Sequence, residues 1–570
     1  MRLKLGYFFV LLLCILPTLP GLAGVAISSF GFIPAINSYE FSLLGFHQVF
    51  SWHGIGTSIT LTLLSALISC YLACLISFSI LQSAWGTSAW KKIEALLSPL
   101  LSMPHVAFAI GFAFLFSPTG LVARGAEQIA DYASTHSSTI DAALLIKDPY
   151  ALGLTLMLAI KEVPFLLLMS IPVLQQLNIE QIEKVSSSLG YSKAQTWWKC
   201  VFPQWLSKIR FPLLAVIAFA VSVVDVPLIL GPTNPPTLAV LVWQWFSDPD
   251  LTLLPRAAAG AMVLFGLAVI LINSVKIIEW LIVKRINHWQ FSGRKGIALP
   301  GKTAFNAIAI IAALMLPILI LWSFTHRWRF PDLLPSRYTS RFWEREWSSV
   351  FDVITTSLNL ALMSATIALV LALIAHEYRI KHKLHLPGFV IAIPMLVPQL
   401  SLLFGMQITS LYVDSSAYWV WVIWAHVFFT FPYVYLALDG PWRSFNDGYT
   451  RASLSLGKSP LYTWWMVKLP TLLPAVLFAF AIGMSVSLSQ YLPTLALGAG
   501  RITTITTEAV ALTSGHDRRL TAIYALFQAA LPLIFFALAV ILSRLQVQIR
   551  HFSFKGLFRN DSLTAKSHYH

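Results

Sequence analysis

The sequence predicts an all-α polytopic membrane protein of about twelve transmembrane helices in two tandem six-helix halves. Three observations carry that reading. The 570-residue chain is 57% hydrophobic and 11% charged, with a mean hydropathy of +0.73, whereas soluble domains carry about 25% charged residues. Apolar runs of about 20 residues, the length that crosses a bilayer, recur along it. A polar segment of twenty residues from Lys184, KVSSSLGYSKAQTWWKCVFP, returns 267 positions later from Arg451 as RASLSLGKSPLYTWWMVKLP with nine identities.

The apolar runs lie near 5–27, 54–82, 95–117, 151–174, 211–231 and 257–283, then near 304–324, 351–375, 387–411, 417–438, 474–495 and 520–543. The fifth, eleventh and twelfth contain polar interruptions. The first begins like a signal peptide, with Arg2 and Lys4 before the apolar stretch and small residues near Ala23-Gly24, but it is longer than a typical signal core. We read it as an uncleaved span with a cytoplasmic N-terminus. On that topology 26 of the 39 Lys and Arg residues face the cytoplasm, the positive-inside bias. The net charge of +15 is therefore topological and does not point to nucleic acid. Of the four cysteines, Cys14, Cys70 and Cys74 lie in spans and Cys200 in a cytoplasmic loop. None is placed to form an external disulfide, and Cys70 with Cys74 lacks the companions of a metal site.

The repeat extends beyond the polar segments. Ser58, Ser65 and Ala66 match Ser357, Ser364 and Ala365; Pro104 and Gly111 match Pro398 and Gly405; Gly231, Thr237 and Asp250 match Gly498, Thr504 and Asp517. The offset falls from 299 to 267, so the first half holds an insertion, for which the external loop 118–150 is the candidate. The expected organisation is a first half 1–283, a basic cytoplasmic linker 284–303, a second half 304–545 and a tail 546–570.

Each polar island, about 180–206 and 447–473, reads as a short helix, a glycine C-cap at Gly190 or Gly457, and a second, aromatic helix closed by Pro203 or Pro470 before the next span. Glu180 precedes Lys184 and Asp447 precedes Arg451 by four residues, the spacing of a helical charge pair. An interfacial hairpin anchored by Trp197-Trp198 and Trp464-Trp465 leaves unexplained why Ser186, Ser188, Gly190 and Ser192 recur in register. Small residues around a glycine turn suit close approach by another backbone.

The layout of a glycine, twelve residues and a proline, with small residues before the glycine, resembles the EAA loop of binding-protein-dependent ABC importer permeases. The likeness is greatest to fused double permeases of the iron/thiamine type and includes the tract 487–512. It implies a bacterial inner-membrane protein with no cofactor or catalytic residue of its own. It also implies two copies of an ABC ATPase subunit and a periplasmic substrate-binding protein as partners. The coupling residues it implies are Lys184, Ser186, Gly190, Trp197 and Pro203, with Arg451, Ser453, Gly457, Trp464 and Pro470. The sequence departs from the usual Glu-Ala-Ala with Lys184-Val185-Ser186 and Arg451-Ala452-Ser453, a base in place of the acid in both halves.

The linker contains Gly296-Ile-Ala-Leu-Pro-Gly301-Lys302-Thr303, which fits a phosphate-loop pattern. That pattern needs a preceding strand and a following soluble helix, and here a span follows. It reads as a basic linker facing lipid headgroups. Polar residues within spans are functional candidates: Glu162, Asp225, Gln399 and Gln490 are assigned to the translocation path, with His105 beside Gln399 by the repeat and Lys161-Glu162 open to a structural charge pairing. Thr504 and Glu508 are placed near the outer end. Two other classes remain open on the residues alone. An ion-coupled secondary transporter of twelve spans would use Glu162 and Asp225; a membrane enzyme would need a catalytic cluster that is not evident.

Overall fold

The computed structural model describes residues 2–15, 18–132, 145–382, 388–413, 416–515 and 517–564. Much of the expected insertion, 133–144, lies outside the described residues, as does 565–570 of the tail. The described chain is a helical bundle; a two-stranded antiparallel ribbon pairs Thr325–Arg327 with Arg337–Tyr338.

Among the described residues nine helices are long and apolar enough to cross a bilayer, and a tenth if the bent pair Lys193–Lys208 and Arg210–Ser222 is one span. Two expected spans are each built from two shorter helices: Arg2–Ile15 with Thr18–Ser29, and Gly388–Leu396 with Gln399–Val413. Length alone therefore does not give twelve. Pro398 accounts for the second division, because it lacks the N–H needed to continue a helix.

One order of elements runs twice. In the first pass a long helix, Ile55–Ala84, leads to a helix pair, Ser88–Ser102 and His105–Phe116, and to a proline-bearing helix, Leu152–Leu177. An island follows, then a broken span, Arg210–Ser222 with Asp225–Leu230, a short helix, Leu238–Phe246, and a closing helix, Leu254–Trp280. In the second pass the elements are Arg341–Lys381, the pair from Gly388, Tyr418–Ser444, an island, Leu469–Leu488 with Leu492–Gly498, Ile505–Thr513 and Arg518–Thr564. The recurring serines of the leading helices tie down the short ones. Ser58 Oγ donates to Pro236 O (2.5 Å), Thr62 Oγ1 accepts from Leu238 N (2.8 Å), and Ser357 Oγ accepts from Ile505 N (2.8 Å). Helix ends inside a bilayer need such partners, because no water is there to satisfy them.

The helix before each pass packs across the molecule. Thr18–Ser29 lies on Gln399–Val413, and Gly301–Ser323 lies on Ile55–Ala84 and His105–Phe116. Small residues permit these approaches: a Cβ on Gly24 would stand 3.3 Å from Gly405 Cα, and one on Gly405 would overlap the Gly21 backbone. Gly405→Leu is expected to lower thermal stability in detergent by about 1–3 kcal/mol through overpacking. Size-exclusion recovery after heating reads this out, and an unshifted midpoint would show that the contact is soft. Gly301 packs the same way, against the Ser79 backbone. The second glycine of the phosphate-loop-like segment is thus a packing residue, and irregular chain rather than a strand precedes it.

Candidate functional site

Both islands are built alike. Helix Ile179–Ser188 ends at Gly190 (φ +79°), and helix Gly448–Ser455 ends near Gly457 (φ +77°). Gly190 N donates to Ser187 O (2.9 Å) and Tyr191 N to Ser186 O (3.0 Å); Gly457 N donates to Leu454 O (3.0 Å) and Lys458 N to Ser453 O (3.3 Å). This is the Schellman closure in both copies, and it requires the left-handed glycine. Ser192 and Ser459 then cap the next helix, accepting from Gln195 N and Tyr462 N.

The serines have internal roles. Ser186 and Ser453 are buried; Ser186 Oγ donates to Ile182 O (2.7 Å) and Ser453 Oγ meets Thr463 Oγ1 (2.8 Å). Ser188 and Ser455 donate to carbonyls three residues back. Their recurrence is explained inside the hairpin, so the outward features are the glycine turns and the flanking Leu189 and Leu456, 62% and 78% exposed.

Two expectations need correction. Pro203 and Pro470 do not close the islands: π-turns Trp197–Val201 and Trp464–Lys468 run on into helices Phe202–Lys208 and Leu469–Leu488, with each proline in the first turn. Proline is tolerated in the first turn of a helix, where its missing N–H has no intrahelical partner to lose. Lys184 Nζ does pair with Glu180 (2.7 Å), which holds the Glu180 carboxyl below its usual range. This contribution is present above the ordinary carboxylate pKa and is lost as pH falls through the lowered one. Among the described residues, however, no ion pair joins Asp447 to Arg451, although Asp447 is the N-cap of its helix and its backbone O accepts from Arg451 N (3.0 Å). Of the island tryptophans, Trp197 is fully buried, its Nε1 donating to Glu183 Oε1 (2.7 Å), while Trp464 is half-buried; the burial of Trp197 disfavours the alternative of an interfacial anchor.

The islands share one end of the bundle. Gly301 sits against Ser79, near Phe78, which touches Trp197, and the same helix ends with Trp322 under Arg518. Phe324 stacks on Trp343, and the helix Arg341–Lys381 then returns to Glu377, which pairs with Lys468 of the second island (2.7 Å).

The predicted path residues form two local polar groups, one in each half, near the breaks of the fifth and eleventh spans. Glu162 Oε1 lies 3.1 Å from His105 Nε2, and His105 is within electrostatic range of Asp225. Gln399 Nε2 donates to Gln490 Oε1 (3.0 Å). Asp225–Leu230 packs on Ile505–Thr513, and Arg210–Ser222 packs on Gly388–Leu396, so broken elements of the two halves lie against each other. Tyr433 is 39% exposed. Lys161 does not pair with Glu162. Its buried Nζ donates to Leu100 O (2.9 Å), since adjacent helical residues point about 100° apart. Thr504 caps its own helix with Thr507. Among the described residues no three His, Cys, Asp or Glu side chains are grouped to hold a metal.

Comparison with known proteins assigns the chain. The inner membrane ABC transporter permease protein YnjC of Escherichia coli (strain K12) is 31% identical over 533 residues, 92% of this chain and 95% of that protein. The chain belongs to the ABC transporter permeases. Shorter stretches match the molybdenum transport system permease protein ModB of Mycobacterium bovis, 32% identical over 80 residues (14% of this chain, 30% of that protein). They also match the spermidine/putrescine transport system permease protein PotC homolog of Mycoplasma genitalium, 28% identical over 128 residues (22% and 45%). No protein-family model matches the chain. A permease is a transport subunit and not itself an enzyme, and this membership does not favour the secondary transporter.

Two features of this permease escaped sequence reading. Tyr491 follows Gln490, which its polarity had marked, and Tyr433 lies in the span 417–438, but an aromatic in a span carries no signal of its own. The linker also packs onto the first island, a tertiary contact with no sequence periodicity behind it.

Proposed function

We propose that this permease is both membrane halves of an ATP-driven importer on one chain, residues 1–283 and 304–545 joined by the linker. The observation that carries the reading is the pair of exposed glycine turns, built alike and held at one end of the bundle. Two copies of an ABC ATPase dock there, and a binding protein delivers a small solute at the opposite end. The positive-inside bias puts the islands and the N-terminus in the cytoplasm and the chain in the bacterial inner membrane. Closure of the ATPase pair moves the islands and rocks the halves around Glu162, Asp225, Gln399 and Gln490. Helices broken at membrane depth suit this, since irregular backbone there is tolerated where it lines a cavity.

The test is purification of the tagged chain from native membranes in mild detergent. Two ATPase copies per chain are expected. A chain that purifies alone and takes up solute on an ion gradient would overturn the proposal.

A further inference from the structure

The two glycine turns differ in what lies beside them. In the second island the residue after the glycine is Lys458, whose Nζ stands 5.3 Å from the Tyr462 ring centroid, and the space around Gly457 is open. In the first island that position is Tyr191, and a cation arrives from elsewhere. Arg294 of the linker places Cζ 5.3 Å from the Tyr191 ring centroid and donates from Nη2 to Leu189 O (3.2 Å). A Cβ on Gly190 would be 3.2 Å from its Nη1.

This placement is held by several bonds. Lys199 Nζ donates to Trp289 O (2.8 Å) and Ser292 O (2.6 Å), and Trp198 Nε1 donates to Ile297 O (2.9 Å). Gln195 Nε2 donates to Arg294 O itself, and Leu299 N donates to Gln82 Oε1 (2.8 Å). The nearby island carboxylates are occupied, Glu180 by Lys184 and Glu183 by Trp197 and, at 3.9 Å, Lys193. Among the described residues neither Arg294 nor Lys458 forms an ion pair, and both are exposed.

We propose that the linker completes the first docking site: Arg294 supplies the cation beside Gly190 that Lys458 supplies beside Gly457, and each ATPase copy meets it with a carboxylate. A guanidinium or ammonium held beside an open turn, without a carboxylate of its own, is complementary to an acidic side chain at a protein interface. The inference rests on the importer reading above. It adds that the first site is composite and that its partner's docking groove is acidic.

The test is to co-express the chain with its ATPase subunit, purify the complex and count ATPase copies by native mass spectrometry. Two copies are expected on the unmodified chain, one on Arg294→Glu, one on Lys458→Glu and none on the pair. Arg294→Ala is likewise expected to carry one copy, and Tyr191→Lys added to it, which places the cation inside the island as in the second half, is expected to restore the second; a linker that acts only as a structural strap would not be rescued this way. Two copies on Arg294→Glu, loss of both from that single change, or failure of the rescue would overturn the linker proposal while the importer reading stands. An unmodified chain that carries no ATPase would overturn both.

Discussion

Replacing Gly190 and Gly457 together by valine is expected to reduce ATP-driven uptake to background while leaving the bundle assembled. Both residues hold φ near +80°, a conformation that costs a side-chain-bearing residue roughly 1–2 kcal/mol and that a β-branched residue tolerates least. The strain falls on the last turn of each short helix, where the glycine N–H and the next N–H close onto two carbonyls. Relieving it means opening that turn, which displaces Leu189 and Leu456 and reshapes the surface offered to the ATPase. The rest of the fold is insulated, because the second helix of each hairpin is capped separately by Ser192 or Ser459. Gly457→Asn is a useful comparison: the space there is open and asparagine accepts the left-handed region, so it should retain most uptake. Reconstitution with the ATPase and binding protein, following uptake and ATP hydrolysis together, measures this. Full transport by the double valine variant would remove the islands from the coupling role.

Much of the architecture was readable because lipid imposes a simple rule: about 20 apolar residues per crossing. The glycine turns were readable for the same kind of reason, since local backbone chemistry dictates a left-handed glycine after a short helix. What was not readable depended on three-dimensional neighbours. Lys161 and Glu162 are adjacent in sequence, but helix geometry sends one to the Leu100 carbonyl and the other to His105. Pro203 looks like a terminator, but it sits in the first turn of the helix that follows the π-turn, where a proline is tolerated. The island serines resemble a contact surface in sequence, yet they hold the hairpin together. The linker, with the composition of a solvated basic segment, is fixed by side chains from the first island and by Gln82.

The second large effect is expected at the path. Glu162→Gln and Asp225→Asn should each lower uptake at least tenfold, with both ATPase copies retained and thermal stability unchanged or raised. An ionised carboxylate at membrane depth is costly, about 2.5–3.5 kcal/mol on insertion scales for Asp, so a purely structural role would be filled more economically by a neutral group. The second half shows a neutral arrangement: Gln399, the counterpart of His105 by the repeat, is bonded to Gln490, whereas His105 meets Glu162. Glutamine at 162 can still meet His105 and keep the packing, so a fall in uptake without a fall in stability would mark the charge itself as functional. That is the signature of a site that trades stability for activity. Alanine at Gln399 or Gln490 would not separate the two, since it strands the partner amide at a cost of about 1–3 kcal/mol; the double replacement by leucine removes both partners and avoids this. Uptake through Glu162→Gln at the unmodified rate would take that carboxylate out of the path and leave it a packing group beside His105.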